Sequence, residues 1–440
     1  MPTERKTAVT DLANITRPQP LIRVAPAHLI AADGSAHLRV RPGRLTEILV
    51  WIAMATSSFV LFEPAPVDLL MAGVIVLVPL LGAVHFGTVS LLGLIVWLAM
   101  TAVGIVAVAG SPTFGQALTH QIVTLFLALG AFVLAGFIAK DPEYRFELIF
   151  SGYLVGALIA AAAGAIGYFN LVPGAYELFT NYGRAKGTFK DPNVLGAALA
   201  PAFVYLCWIM VREKAREARI AALLAGPLAF VLLIGFSRGA WISVGLSVLM
   251  MGWIVLVTSR RSNDFTRLGM LAGGSIFGIV MLVTVALQVP AVQSLMSQRA
   301  SMDQGYDNGP DGRFAGHAKA RRLIVDHPFG IGTHTFRTTH HHEEAHSVYL
   351  TMFLNAGWLG GYVYIISTLI ALFVGIRGAM RRGALQGAFV VATASFAGVA
   401  FEGWIVDTDH WRHYFILLGC IWGLSDATPP VIDPRQRRDD

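Results

Sequence analysis

Five cations and one imidazole are placed where ordinary packing needs neither. Arg238 lies in Phe236-Ser237-Arg238-Gly239-Ala240-Trp241, a short turn between two apolar runs. An arginine bracketed by apolar sequence is costly to desolvate unless it reaches water or meets an anion. Its planar fork of donors matches a phosphate oxyanion. The plainer reading is a snorkelling arginine whose stem covers apolar surface. Arg313 follows Asp311-Gly312 and opens a predicted amphipathic helix with His317, Lys319, Arg321 and Arg322, ending near Val325. His327-Pro328-Phe329-Gly330-Ile331-Gly332 then reads as a stop and turn. An interfacial helix with a solvated basic face accounts for Lys319 and Arg322. It accounts less well for Arg313, because a cation at a helix start opposes the dipole.

The imidazole is His346. It ends His340-His341-His342-Glu343-Glu344-Ala345-His346, which contains the formal pattern His342-Glu343-x-x-His346 of zinc peptidases. Zinc would need both histidines on one helical face, a third ligand and an open position for water. So dense a run of histidine and glutamate matches that pattern easily by chance, and no metal is assigned to it. His346 alone, at the mouth of the next apolar run, fits a general base poised near neutral pH. A third segment runs Arg184-Ala185-Lys186-Gly187-Thr188-Phe189-Lys190-Asp191-Pro192-Asn193 into another apolar run. Asp191 or Asn193 is suited to cap the helix that follows, with Pro192 in its first turn. Arg184, Lys186 and Lys190 then form a cationic patch beside a helix start, where an anion is favoured. Arg145, His120 and Glu147 read as boundary or packing positions.

These residues must be held by elements that the composition limits sharply. Of 440 residues, 55% are hydrophobic and 14% charged, with a mean hydropathy of +0.61. A water-facing domain carries about 25% charged residues, so lipid is the solvent this surface suits. Apolar runs long enough for roughly 30 Å of hydrocarbon recur near 46–62, 66–84, 88–109, 117–139, 147–169 and 194–211. A second set falls near 219–236, 239–257, 268–289, 348–376, 384–401 and 411–425. About twelve spans are therefore expected, with Asn355, Gly357, Gly360 and Gly361 placed to interrupt the tenth. The expected fold is an all-α polytopic membrane protein, one continuous helical bundle over 45–425. It is flanked by a basic, disordered cytoplasmic tail (1–44) and a short second tail (426–440).

The net charge of +6 does not indicate nucleic acid, because Lys and Arg gather in short loops between the runs. Lys140/Arg145, Arg212/Lys214/Arg216/Arg219, Arg260/Arg261/Arg267 and Arg377/Arg381/Arg382 alternate with loops nearly free of positive charge. That is the positive-inside pattern of a chain with both termini in the cytoplasm. The outer loops 170–193 and 290–346 are long and polar, and loops beyond about 12–15 residues are usually functional or disordered. No cleavable leader is evident. Cys207 and Cys420 lie inside apolar runs and read as small hydrophobes.

Three segments in this order carry a resemblance: Gly187-Thr188-Phe189-Lys190-Asp191-Pro192-Asn193, Ser237-Arg238-Gly239-Ala240-Trp241, and His327-Pro328-Phe329-Gly330-Ile331-Gly332 leading to His346-Ser347-Val348-Tyr349-Leu350 and Gly357-Trp358-Leu359-Gly360. Across about Arg184 to Gly361 the chain resembles the O-antigen ligase and O-antigen polymerase superfamily of bacterial envelope glycosyltransferases. The resemblance implies a GT-C-like membrane fold in the bacterial inner membrane with a site facing the periplasm. It implies an undecaprenyl-diphosphate-linked glycan donor and a glycan or glycolipid acceptor. Transfer would be inverting and would use neither metal nor cofactor. A ligase would deliver the glycan to lipid A core; a polymerase would extend another lipid-linked repeat unit of O-antigen or exopolysaccharide. By motif, Arg238 and Arg313 match the arginines that hold the diphosphate and His346 the essential histidine. Two departures stand out: Ser347 replaces a common Asn, and Gly316 and His317 stand where an aromatic is usual. A secondary transporter would predict central charge or repeated halves, and neither is visible here. A membrane metalloprotease would depend on His342, Glu343 and His346.

Overall fold

The structure is a computed structural model that describes residues 42–260, 262–286, 288, 293, 309 and 312–428. Contacts divide the chain at Arg39, and the described residues fall within the unit Val40–Asp440. The N-terminal tail to Arg41, most of 287–311 including Asp311, Arg261, and the tail from 429 lie outside the described residues. Helix accounts for 77% of the described residues, as it must where backbone groups have no water to bond.

The helices are α1 (Pro42–Thr56), α2 (Pro66–Leu80), α3 (Thr88–Val108), α4 (Phe114–Lys140), α5 (Pro142–Tyr168), the short α6 (Ala175–Phe179) and α7 (Pro192–Arg212). They continue with α8 (Ala215–Ile234), α9 (Arg238–Thr258), α10 (Ser262–Ala286), α11 (Arg313–Asp326), α12 (Val348–Met380), α13 (Gln386–Glu402) and α14 (Arg412–Asp426). A two-residue hairpin, β1 (Thr180–Asn181) with β2 (Arg184–Ala185), pairs antiparallel in the loop before α7. Each apolar run read from the sequence falls on one of these helices. Seven of the described helices, α3, α4, α5, α7, α8, α9 and α12, are long and apolar enough to cross a bilayer, and α2 and α13 are apolar but shorter. Leu80, Val106, Leu223 and Leu249 are exposed on the bundle surface at 72–76%, which suits lipid and would be a liability in water.

Small residues let helices close on one another, the usual device where lipid removes the hydrophobic drive. Gly419 and Gly423 of α14 lie so near α4 that a Cβ would meet the Ala131 and Ala135 carbonyls at 2.6 and 2.5 Å. The helix caps follow the sequence: Asp191 accepts from the Asn193 amide at 2.7 Å with Pro192 in the first turn of α7, and Ser237 accepts from the Ala240 amide at the start of α9.

The polar bonds sort the loops into two groups. At one end Lys140 donates to the Gly82 carbonyl, Arg145 to Ala83 and Arg382 to Thr258, while Arg212 pairs with Asp264. At the other end Val60 bonds Thr188, Ser111 bonds Thr333, and Arg412 forms a two-bond fork with Asp68 at 2.6 and 2.7 Å. The loops that the charge pattern assigns to one face thus share one end of the bundle. The candidate site residues are all at the other.

Helix α12 breaks at Ala356 and Gly357, where Gly357 has φ +64°. The Pro328-Phe329-Gly330 turn fills that break. Trp358 donates its amide to the Pro328 carbonyl and Ile331 donates to the Leu354 carbonyl, at 2.9 and 2.8 Å, so backbone groups released by the kink are satisfied from outside the helix. Gly330, with φ +82°, would place a Cβ 2.6 Å from the Gly357 nitrogen. Gly330→Ala therefore combines a left-handed backbone with a backbone clash, and should cost upward of about 1–2 kcal/mol. The expected result is a lower thermal midpoint in detergent, with Gly226→Ala, which meets nothing within 4 Å, as the near-neutral control.

Candidate functional site

Arg238 is the first residue of α9 and Arg313 the first of α11. Each places a cation at the positive end of a helix, which is unfavourable for the helix alone and favourable once an anion joins them. Both are partly buried. His346 precedes the N-cap Ser347 of α12 and has a left-handed backbone, φ +50°.

Three contacts gather these positions. From α9, a Cβ on Gly239 would stand 3.0 Å from Ile405 and 3.2 Å from the Glu402 carboxylate, so the residue after Arg238 lies against the α13–α14 connection. From α12, Val348 donates to the Gly403 carbonyl at 2.9 Å and Thr351 to Asp407 at 2.6 Å, so the residues after His346 lie against the same connection. From α11, the His317 ring reaches the backbone of Ala345 and His346 with Arg313 close by, and Gly316 packs under His341. The residue after Arg238 and the residues after His346 thus lie against one connection, residues 402–409, and the helix that Arg313 opens packs through Gly316 and His317 on the segment that ends at His346.

His346 is one-third exposed and its Nε2 lies 3.0 Å from a Glu343 oxygen. The hydrogen bond from His346 holds the Glu343 carboxyl below the usual range, against some burial. In the neutral ring Nε2–H donates to this carboxylate and Nδ1 keeps the lone pair, the arrangement of a base with an orienting acid. The segment from His341 to Ser347 is irregular rather than helical. His342 and His346 therefore do not share a helical face, which the zinc-peptidase reading requires. Burial and the charges of Arg313 and Arg321 push the His317 imidazole down, against its bonds to the backbone of Ala345 and His346.

The patch from the 170–193 loop is heterogeneous. Arg184 is buried; its Nε donates to the Gly235 carbonyl and its Nη2 to Asn193, both at 2.9 Å, tying β2 to the α8–α9 turn and to α7. Lys190 is exposed and pairs with Glu63 at 3.1 Å. Lys186 is partly buried, its amide bonding Phe179. Arg184 thus sets the position of the turn that carries Arg238, and its loss removes two charge-assisted bonds worth roughly 1.5–3 kcal/mol each. Arg184→Ala is expected to lower thermal stability clearly, whereas Lys190→Ala, breaking an exposed pair worth about 0–1 kcal/mol, should leave it almost unchanged.

His120, which reads from the sequence as a packing position, and the 407–410 stretch form a concentrated polar cluster linked to the His346 segment through Glu344 and Asp407. His120 Nε2 lies 3.0 Å from Asp409 Oδ2, His120 and His410 stack at 3.9 Å, and His334 meets His120 edge-on and bonds Glu344 at 3.0 Å. Burial, with the Asp409 charge adding, pushes the Asp407 carboxyl up to about 7. Burial acts the same way on Asp409, but the His120 bond and the His410 charge outweigh it and hold that carboxyl below its ordinary value. Burial pushes the His410 ring down to about 4. A usable signal was present: Asp407-Thr408-Asp409-His410 is a carboxylate-rich stretch directly between two apolar runs.

None of the curated proteins matches the chain. The family model Wzy_C, described as O-antigen ligase, matches residues 220–365, about a third of the chain. The matched stretch runs from α8 into α12 and includes Arg238, Arg313 and His346; the Gly187–Asn193 motif and the patch of Arg184, Lys186 and Lys190 lie before it. That match supports placing this chain, a multi-pass helical membrane protein, in the O-antigen ligase and polymerase superfamily.

Proposed function

We propose that this protein transfers a glycan from a polyprenyl diphosphate, of the undecaprenyl type, to an acceptor hydroxyl on the periplasmic face of the inner membrane. What supports the reading is that the segments carrying Arg238 and His346 lie against one inter-helix connection, with the helix that Arg313 opens packed on the segment before His346, and that all three residues fall within the stretch that matches the ligase family. The acceptor oxygen attacks the anomeric carbon from the face opposite the diphosphate. A new C–O bond forms as the old one breaks, and the diphosphate departs with the bonding electron pair. The acceptor proton passes to His346 Nδ1, and Glu343 stabilises the imidazolium that results. Charge growing on the leaving diphosphate is met by Arg238 and Arg313, fixed donors aimed at the atoms that become more negative. Arg184 acts indirectly, holding the turn that carries Arg238 through its bonds to Gly235 and Asn193. Inversion at the anomeric carbon follows from a single displacement, and neither proton transfer nor charge neutralisation requires a metal here.

Lipid A core as acceptor, and hence a ligase, is the reading we favour, in agreement with the description of the matched family. A polymerase extending lipid-linked repeat units uses the same residues in the same roles. Deleting the gene and sizing the surface and lipid-linked glycans tests this. Long chains accumulating on the lipid carrier support the ligase; single repeat units make it a polymerase; an unchanged glycan profile removes both. Glu343→Gln provides a further check. It should slow transfer about tenfold, equivalent to roughly 1.4 kcal/mol of barrier, without changing donor binding. A protease using Glu343 as its base would instead lose proteolysis altogether.

A further inference from the structure

The cluster at the start of α4 is built like a cation site. His120 and Asp409 present ligand atoms 3.0 Å apart, the separation of two ligands on one ion, given bonds of about 2.0–2.2 Å to each. His410 brings a third, and the three ligand atoms lie within 4.8 Å of one another. Side chains of His120 and Asp409 are only 13% and 10% exposed, so the set is screened from water. Outer partners fix the rings, as they do around bound metals. Thr124 Oγ1 donates to the His120 carbonyl and lies 3.0 Å from His410 Nε2, and His334, locked to Glu344, abuts His120.

A second observation points the same way. Asp407 and Asp409 belong to one short connection, and Glu344 is close enough to act on Asp407. The nearest arginine on that connection, Arg412, is already committed to Asp68. Glu344 is met by His334 and Arg337, which leaves the Asp407–Asp409 connection as the acidic side of the cluster.

We propose that His120, Asp409 and His410 bind one divalent transition-metal ion, with Zn²⁺ the ion best matched to two imidazoles and a carboxylate. The ion acts as a pin: it joins α4 to the α13–α14 connection and, through His334 and Glu344, steadies the segment that ends at His346. It takes no part in the transfer itself, and the histidines at 340–342 are not its ligands.

The test uses the full chain, purified in detergent without a polyhistidine tag, stripped of metal, and titrated with Zn²⁺ and with Co²⁺. One ion per chain is expected, with a Co²⁺ absorption band in the visible and a thermal midpoint raised by Zn²⁺. Asp409→Asn, nearly isosteric, and His410→Gln should each weaken binding at least 100-fold and abolish the thermal shift. Replacing His340 and His342 together by Ala should leave stoichiometry and shift unchanged. Folding of each variant is checked by its elution as a single symmetric species. The proposal is overturned if the folded wild type binds no stoichiometric Zn²⁺ or Co²⁺. It is equally overturned if binding survives in folded Asp409→Asn or is lost in the His340/His342 variant. These outcomes do not depend on glycan transfer, so failure here leaves the proposed reaction standing, and the converse holds.

Discussion

His346→Ala is expected to lower glycan transfer by about 10²–10⁴-fold, the usual worth of a positioned general base, while donor binding stays close to that of the wild type. The expectation follows from local geometry. The ring is fixed through Nε2 by Glu343 at 3.0 Å, which leaves Nδ1 as proton acceptor, and the backbone is held on both sides. The Asp407 carboxylate takes the His346 amide while Thr351 donates to the same carboxylate, and His317 braces the opposite edge. Because His346 is one-third exposed and makes no buried structural bond through its ring, truncation should cost little stability. Rate and stability can therefore be separated by measuring transfer kinetics and thermal midpoint on one preparation. Transfer retained at the wild-type level in a folded His346→Ala protein would remove the base from the scheme.

Arg238→Ala is expected to cost about 10²–10³-fold in transfer, comparable with removing one donor from a preorganised anion site. Arg238→Lys should recover only part of it, because an ammonium lacks the planar fork that matches two phosphate oxygens. This pair of variants discriminates between the two roles open to the residue. A snorkelling arginine is replaceable by lysine with no effect on rate, whereas a diphosphate-binding arginine is not. The effect should also appear as weaker retention of the lipid-linked donor, unlike the His346 variant. Arg313→Ala should move in the same direction.

Much of the architecture was legible in the chain because lipid imposes a simple rule. Apolar runs must be helices, and each of the runs coincides with one, the break in α12 falling at Ala356 and Gly357, the latter one of the four positions expected to interrupt it. The caps at Asp191 and Ser237 were readable for the same reason, since few side chains can accept from a helix start. Arg238, Arg313 and His346 could be picked out individually, but the packing of the Arg238 and His346 segments against residues 402–409 could not, because that connection is far away in the sequence and its carboxylate-rich stretch does not say which helices it touches. Arg184 shows the limit of reading charge from spacing. It lies beside Lys186 and Lys190 in a cationic run, yet its guanidinium is turned inward onto Gly235 and Asn193. His120 was hidden differently: one histidine in an apolar helix carries no signal until the loop that brings Asp409 and His410 is folded over it.

Two jobs, diphosphate binding and proton removal, are proposed for one region of the protein. The most direct measurement reconstitutes the purified protein in vesicles with a polyprenyl-diphosphate glycan and a lipid A core acceptor, and compares wild type with Arg238→Ala, His346→Ala and the double variant. Wild type should form the glycan–acceptor bond with inverted anomeric configuration. Each single variant should be slowed by at least about 100-fold, and the double variant by much less than the product of the two, as expected for groups acting on one transition state. Transfer at the wild-type rate by a folded double variant would contradict the account outright.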